Sequence, residues 1–392
     1  MGKQLLIIGN GFDLYCGLKS KYCDFYESDI KNKFSKYSRD NPENFWHTLL
    51  CQHDKNSQNY NWCDVEKIIK NTLNSINLKH NSGVALWDEA IIEFHNWNKH
   101  HSLRSYFLEY SDTPEEFILF YCFAYIKKIG YPDKEKFNEF LLAELKSFEK
   151  LFCNYLKKWA KYDEKYCEKA IKLFIDLTGM TLSPNQKSLM PIFVDFQNVH
   201  ILSFNYTAPL KINMKKVYSC NPPESYSNVH GELCDESCES CVGSTIIFGI
   251  DDRAVNKDDR AVNKEDNNDS NLRLFSKTYR TLFSNGSESA FLPKCNDSNP
   301  LVIKFFGHSL NDADYSYFQS IFDYYNIYDN YNVSLIFYYA PFKDGIKDET
   351  VAAVYDLINV YGKTRSNKDQ GKNLMHKLIL ERRIKIKEIK ER

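Results

Sequence analysis

The feature that most constrains this chain is a set of short, unbroken apolar runs of strand length at very unequal intervals. Residues 4–8 (QLLII) end in Gly9, and similar runs recur at 199–204 (VHILSF), 244–250 (STIIFGI), 301–307 (LVIKFFG) and 332–340 (NVSLIFYYA). Runs without polar alternation suit strands covered on both faces, as in a parallel sheet between helical layers. The pattern predicts an α/β protein with an open parallel sheet. Its first strand stands about 190 residues before the next.

The stretch between them has a different period. From Phe137 the apolar positions Phe140, Leu141, Leu145, Phe148, Leu151, Phe152, Tyr155, Leu156 and Trp159 follow at steps of one, three or four, which holds one face of a long helix. A segment of this length is too long for a loop and predicts a large helical insertion between the first and second strands. After the last run, DETVAAVYDLINVYG has an acidic start, a helical pattern and a closing Gly362. Residues 365–371 read as a polar linker. Residues 372–392, with eight Lys or Arg against three Glu, read as a solvated helix or tail. The expected division is 1–25 plus 199–345 as an α/β nucleotide-binding domain, 26–198 as the helical insertion, and 346–392 as C-terminal helices with a basic tail.

A chain of 392 residues can bury a substantial core. Its 51 basic and 52 acidic side chains create no global field toward nucleic acid or membrane, so either partner would need a local patch. Twelve cysteines would permit a disulfide framework, but only Lys3 precedes a four-residue apolar run that leads into glycines, which is no signal peptide. Free thiols in a reducing cytoplasm are expected. The opening Met-Gly lacks the Ser or Thr of a myristoylation signal, since Leu6 stands there. The longest apolar stretch, FILFYCFAYI at 117–126, has about half the length a bilayer demands, so no membrane span is expected. DDRAVNK at 251–257 is repeated unchanged at 258–264, which suits a polar loop that tolerates insertion.

The first run opens the stretch LLIIGNGFDLYCGL. A strand delivering Gly9, Asn10 and Gly11 into a helix brings backbone N–H groups and the helix dipole to one point, an arrangement that cradles phosphate. A Rossmann fingerprint would need a third glycine where Leu14 stands, and the Gly-Lys-Ser or Gly-Lys-Thr of a P-loop is absent. The two glycines equally suit a tight turn at positive φ. Asp13 would repel a phosphate and suits ribose hydroxyls better.

The stretches LLIIGNGFDLYCGLKSKYCDF, WCDVEK (62–67), ILSFNYT (201–207), VHGEL (229–233), IIFGID (246–251) and FGHSLNDADYSYF (306–318) together resemble the AbiH family of bacterial abortive-infection proteins. More distantly, the same landmarks resemble the sirtuin-like NAD-binding fold. Gly9, Asn10, Gly11, Asp13, Gly17 and Leu18 fall at the spacing of the sirtuin glycine motif. Asn205, then His230 with Gly231, then Gly307 to Leu310 follow in the order of the sirtuin Asn-Ile-Asp, His-Gly and Gly-Thr-Ser-Leu segments. The chain departs from sirtuins at Asp13 (serine there) and Lys19 (proline there), and lacks their Phe-Arg, for which Tyr22 or Lys21 could stand in.

Asn205 closes a predicted strand, at the sheet edge where open α/β folds bind ligands, although Asn is also a common turn residue. Breaking a nicotinamide–ribose bond calls for a group that orients water and a base that relieves charge on the ribose. The resemblance implies these roles for Asn205 and His230. It implies binding roles for Gly9, Asn10, Gly11, Asp13, Gly307, His308 and Ser309, with NAD as substrate or ligand. A Ser N-cap would also explain Ser309, and Asp312 with Asp314 reads as a helix start. Trp62, Asp64 and Glu66 are candidates for lining the site. Cys220, Cys234, Cys238 and Cys241 have the density of a zinc site but not its usual spacing, and no metal is expected.

The resulting expectation is a cytoplasmic antiphage defence protein that binds NAD or a related nucleotide and hydrolyses it to nicotinamide and ADP-ribose on infection. The alternative is a nucleotide-sensing effector without that activity, or one acting on RNA through the basic tail. A phage-encoded trigger and a homo-oligomer are compatible with both.

Overall fold

The computed structural model describes residues 2–25, 44–56, 65–77, 83–96, 113–160, 164–179, 194–208, 220–233, 246–251, 272–284, 292–296, 298–310 and 314–389. The strands are β1 (Lys3–Ile8), β2 (Val194–Asp195), β3 (Val199–Ser203), β4 (Cys220–Asn221), β5 (Ser225–Asn228), β6 (Leu301–Phe306), β7 (Val333–Tyr339) and β8 (Ile384–Glu388). The helices are α1 (Gly11–Tyr15), α2 (Tyr22–Phe25), α3 (Phe45–Asn56), α4 (Val65–Asn77), α5 (Leu86–Asn96), α6 (Pro114–Ile129), α7 (Lys134–Ala160), α8 (Glu164–Thr178), α9 (Lys277–Ser284), α10 (Tyr315–Tyr324), α11 (Ile346–Thr364) and α12 (Lys368–Leu380). The chain divides into one compact unit of Met1–Ser20, Leu156–Ile246 and Asn285–Arg392, and a second of Lys21–Tyr155 and Ile247–Ser284.

The first unit is built on a six-stranded, all-parallel sheet in the order β5-β3-β1-β6-β7-β8. Counted along the chain, these strands run 3-2-1-4-5-6 across the sheet, the order of doubly wound folds that bind dinucleotides where it reverses. Here the reversal falls between β1 and β6. Ile8 is level with Ser203 on one side and Phe306 on the other, so the loops leaving β1, β3 and β6 emerge together at one edge.

Alternation along the strands sorts the side chains onto two faces. Leu5, Ile7, Ile303, Phe305, Leu335 and Phe337 pack with Phe318 and Phe322 of α10, Leu357 and Tyr361 of α11, and Leu374 and Leu378 of α12. Lys304 and Phe306 turn the other way. The Lys304 ammonium donates to the Leu177 carbonyl in the last turn of α8 at 2.6 Å, and Phe174 of α8 lies 4.6 Å from the Phe12 ring. A cation at a helix C-terminus opposes its dipole and satisfies a carbonyl without an intrahelical partner.

Within the second unit, α6 begins with a reciprocal capping box between Thr113 and Glu116, carries Pro114 in its first turn, and ends at Gly130 with φ +85°. Trp46 of α3 donates its indole N–H to the Leu141 carbonyl at 2.8 Å, and Trp87 stacks on Phe137 at 5.0 Å. The long amphipathic stretch after Phe137 is helical, as its period predicts. Among the described residues no helix is long and apolar enough to cross a membrane.

Three expectations are corrected. Residues 246–249 form no strand, and Ile250 makes a single bridge to Ser276. The Phe248 N–H instead donates to Glu149 and its carbonyl accepts from Arg280, a buried pair joined through both guanidinium nitrogens at 2.6 and 2.7 Å. Gly362 does not end its helix. It lies against Gly371 where α11 and α12 cross, too close for a Cβ on either. The segment read as a polar linker and then a solvated helix or tail is helical over α12, as one of those alternatives has it, but it is not solvated throughout and runs on into β8 of the sheet, with Leu374, Leu378 and Arg383 buried. The repeat at 252–264 lies outside the described residues.

Candidate functional site

At the reversal point the loops after β1 and β6 are joined through their backbones. The Gly9 N–H donates to the Phe306 carbonyl at 3.1 Å, the Gly11 N–H to the Gly307 carbonyl at 2.7 Å, and the Phe12 N–H back to the Gly9 carbonyl at 2.9 Å. A Cβ on Gly9 would stand 2.6 Å from the His308 Cα, and one on Gly11 2.7 Å from the Gly307 Cα. These glycines permit close approach of two chains, not the positive φ of a tight turn. It is Gly307 that has φ +69°. The N–H groups at the start of this loop are thus spent on protein carbonyls, and a helix of five residues adds little dipole. The Asn10 amide oxygen accepts from the Ser20 hydroxyl at 2.5 Å.

On the β3 side of this junction lies a buried polar cluster. Asp13 of α1 is 2 % exposed and accepts from the Tyr166 hydroxyl of α8 and the Thr207 hydroxyl, each at 2.7 Å. Burial pushes its carboxyl up to about 6, against the pull of Thr207, Tyr166 and the neighbouring Asn205 amide. Burial, with the Asp13 charge behind it, also raises Tyr166 well above an ordinary phenol. The Asn205 backbone is fixed by its neighbours: its N–H donates to the Ser203 hydroxyl at 3.1 Å, and its carbonyl accepts from the Asn228 amide at 2.7 Å. The residue is 4 % exposed, its amide NH2 lies beside the Asp13 carboxyl without completing a hydrogen bond of ordinary geometry, and among the described residues its amide oxygen has no partner. Buried amides are normally satisfied, so an acceptor left open beside Asp13 marks a place where a ligand can supply a donor.

The second cluster gathers around Asp314. The His230 Nε2 lies 2.8 Å from Oδ1 of Asp314, and the His308 Nε2 lies 3.1 Å from Oδ2. Phe204 packs edge-on against both imidazoles, with ring centres 5.5 Å from His230 and 4.8 Å from His308, and Tyr317 lies 5.4 Å from His230. Asp314 does precede α10, as a helix start should, but its carboxylate makes no cap bond and is turned to the histidines. In the intervening loop Leu310 has φ +58°, which costs a non-glycine residue about 1 kcal/mol or more. Strain of that size is held only where its surroundings fix it.

The structure therefore brings Asp13 and Asn205 together, and His230 and His308 together through Asp314. Ser309 is exposed and is not the N-cap of α10. Glu66 lies in the second unit, paired with buried Lys277 at 2.5 Å, and Tyr22 packs there on Phe25 and Phe148. Trp62, Asp64, Asp312, Cys234, Cys238 and Cys241 lie outside the described residues, and Cys220 stands in β4. Among the described residues no group of three or more His, Cys, Asp or Glu could hold a metal ion.

Three site residues escape the sequence reading. Tyr166 is 153 positions from Asp13 in a region that reads only as helix. Thr207 stands inside ILSFNYT without a local signal for its role. Asp314 looks like an ordinary acidic helix start. Chemically, an Asp–His pair is a general base in waiting, and a carboxyl near 6 can hold or release a proton around neutrality.

A family model described as bacteriophage abortive infection AbiH matches residues 5–339, from β1 through the end of β7. Neither the curated proteins nor the solved structures gave a match.

Proposed function

The chain belongs to the AbiH family of bacteriophage abortive infection proteins, and from that premise we propose that its parallel-sheet unit binds NAD or a related nucleotide and hydrolyses NAD to nicotinamide and ADP-ribose during infection. The observation that carries this reading is the buried amide of Asn205, set beside Asp13 with its oxygen unpaired, at the reversal edge of a 3-2-1-4-5-6 sheet. A carboxamide NH2 or a water supplies the donor that this oxygen lacks.

Hydrolysis breaks the bond between the nicotinamide nitrogen and the ribose C1′ and adds water at that carbon, with positive charge developing on the sugar. Asn205 holds the carboxamide or the water. His230 takes a proton from a ribose hydroxyl or the water, and the Asp314 carboxylate offsets the charge the ring gains. Asp13, braced by Tyr166 and Thr207, keeps lone pairs for ribose hydroxyls. The spent N–H groups of Gly9, Gly11 and Phe12 make this loop a wall of the site, not a diphosphate cradle. A phage-derived trigger would release the activity, since a host cannot tolerate continuous NAD loss.

The test is to follow NAD and nicotinamide in cells expressing the protein, with and without phage, beside His230→Ala and Asn205→Ala. NAD loss with matching nicotinamide release, abolished in both variants while the protein stays folded, is expected. Unchanged NAD during an effective phage block refutes hydrolysis. That result would leave the second reading, a nucleotide-sensing effector without hydrolysis.

A further inference from the structure

We propose that Asp314 is a positioning residue that sets the tautomer of both site histidines, making Nδ1 the basic atom of His230 and denying His308 a base role. An ionised carboxylate only accepts hydrogen bonds, so the nitrogens facing its two oxygens, Nε2 of His230 and Nε2 of His308, both carry hydrogen. In a neutral imidazole the lone pair then falls on Nδ1.

For His308 the assignment has an independent witness. The Leu310 backbone N–H donates to the His308 Nδ1 at 2.9 Å, and a backbone N–H can only donate. That lone pair is already used, and the bond helps hold Leu310 at its left-handed φ of +58°. A proton added to His308 Nδ1 would replace attraction with two hydrogens facing each other. His308 therefore braces Asp314, and Asp314 braces His230. Among the described residues, Tyr317 also sets its ring against His230, while Phe204 gives both imidazoles an apolar neighbour.

The consequence for chemistry is specific to an atom. When His230 acts as a base, the O–H bond of the ribose hydroxyl or water breaks, the new N–H bond forms at Nδ1, and the resulting imidazolium keeps its Nε2–H on Asp314. The identity of the proton donor rests on the NAD reading. The tautomers do not.

The experiment is nitrogen-15 NMR of the full chain labelled at histidine, in which protonated and lone-pair ring nitrogens resonate far apart, with His230→Gln and His308→Gln used for assignment. Both rings are expected to show Nε2–H and bare Nδ1 at pH 7. In Asp314→Asn one carboxylate oxygen becomes an NH2 that can only donate, so one ring must turn over to place a lone pair on Nε2, and His230, not the Leu310-locked His308, is expected to change. Asp314→Glu is expected to keep the wild-type pattern in part. On NAD turnover, Asp314→Asn should lower kcat by about 10²- to 10⁴-fold with little change in KM, and Asp314→Glu should recover part of it. Hydrogen on Nδ1 of either ring in the wild type, or an unchanged His230 pattern in Asp314→Asn, overturns the proposal. If the NMR pattern and its loss are found but the wild type consumes no NAD, the hydrolase reading fails while the assignment to Asp314 stands.

Discussion

Replacing Asp13 by Asn separates what this residue costs the fold from what it does for the site. Asp13 is 2 % exposed, and burial raises its carboxyl from 3.8 to about 6 despite two hydroxyl donors at 2.7 Å. The folded state therefore binds the proton more tightly than the unfolded one, and stability falls as pH rises from near 4 through 6. At pH 7 the charged form costs about 3 kcal/mol, because the acidity is weakened roughly a hundredfold and each factor of ten is worth about 1.36 kcal/mol. Asn keeps the shape: its oxygen can accept from one hydroxyl, and its NH2 can donate to the oxygen of the other. Asp13→Asn should then be more stable than the wild type by up to about 3 kcal/mol at pH 7, by roughly half that at pH 5, and by less than about 1 kcal/mol at pH 4. Urea unfolding read by amide exchange in β1 and β3 at the three pH values measures this directly, while NAD turnover should be lost. A variant less stable than the wild type at pH 7, or one whose advantage is the same at pH 4, would refute the reasoning.

Other substitutions test separate parts of the same unit. Gly307→Ala places a Cβ against the Phe12 N–H at a residue with φ +69°, and should destabilise by more than about 2 kcal/mol or leave no soluble protein, read by thermal unfolding and yield. Asn205→Leu breaks no side-chain hydrogen bond of ordinary geometry and removes only the weak pull on Asp13, so its stability should stay within about 1 kcal/mol of wild type while nucleotide binding, measured by calorimetry with NAD, disappears. Lys304 is pushed down to about 8 by burial and then by Lys387, so from pH 8 to 10.5 the unfolded state binds more protons and the protein should gain stability as pH rises. Urea midpoints at pH 7.5 and 9.5 should show that gain in the wild type and not in Lys304→Met.

The sheet was legible where strands are buried on both faces. Residues 4–8, 199–204 and 301–307 are apolar because a central parallel strand meets helices above and below, and that demand is written locally; 332–340 is buried on one face and half-buried on the other, yet still apolar enough to be read. β5 (SYSN) and β8 (IKIKE) are edge strands with half-exposed side chains, so no apolar run announces them. The run at 246–250 is apolar because it is buried, yet Phe248 bonds the Glu149 and Arg280 side chains and Ile250 the backbone of Phe275 and Lys277, and hydrophobicity reports burial without saying what pairs the backbone. Gly362 looked like a stop because glycine ends many helices, whereas its partner Gly371 is meaningful only once two helices cross. At the site, glycines and histidines were visible as motifs, but Asp314 and Tyr166 act through partners that only the fold supplies.

The separation of β1 from its sheet neighbours bears on synthesis. The ribosome makes this central strand first, but β3 begins about 190 residues later and β6 later still. At 5–20 residues per second, β1 waits about 10–40 s for its first partner and longer for its second. Until then its apolar side chains need shelter from a chaperone or from transient contacts, and Asp13 and Asn205 cannot meet. A nascent chain interrupted before β6 lacks His308 and Asp314 altogether. Any activity housed here consequently appears only once synthesis has passed Asp314, whatever the state of the helical region made before it.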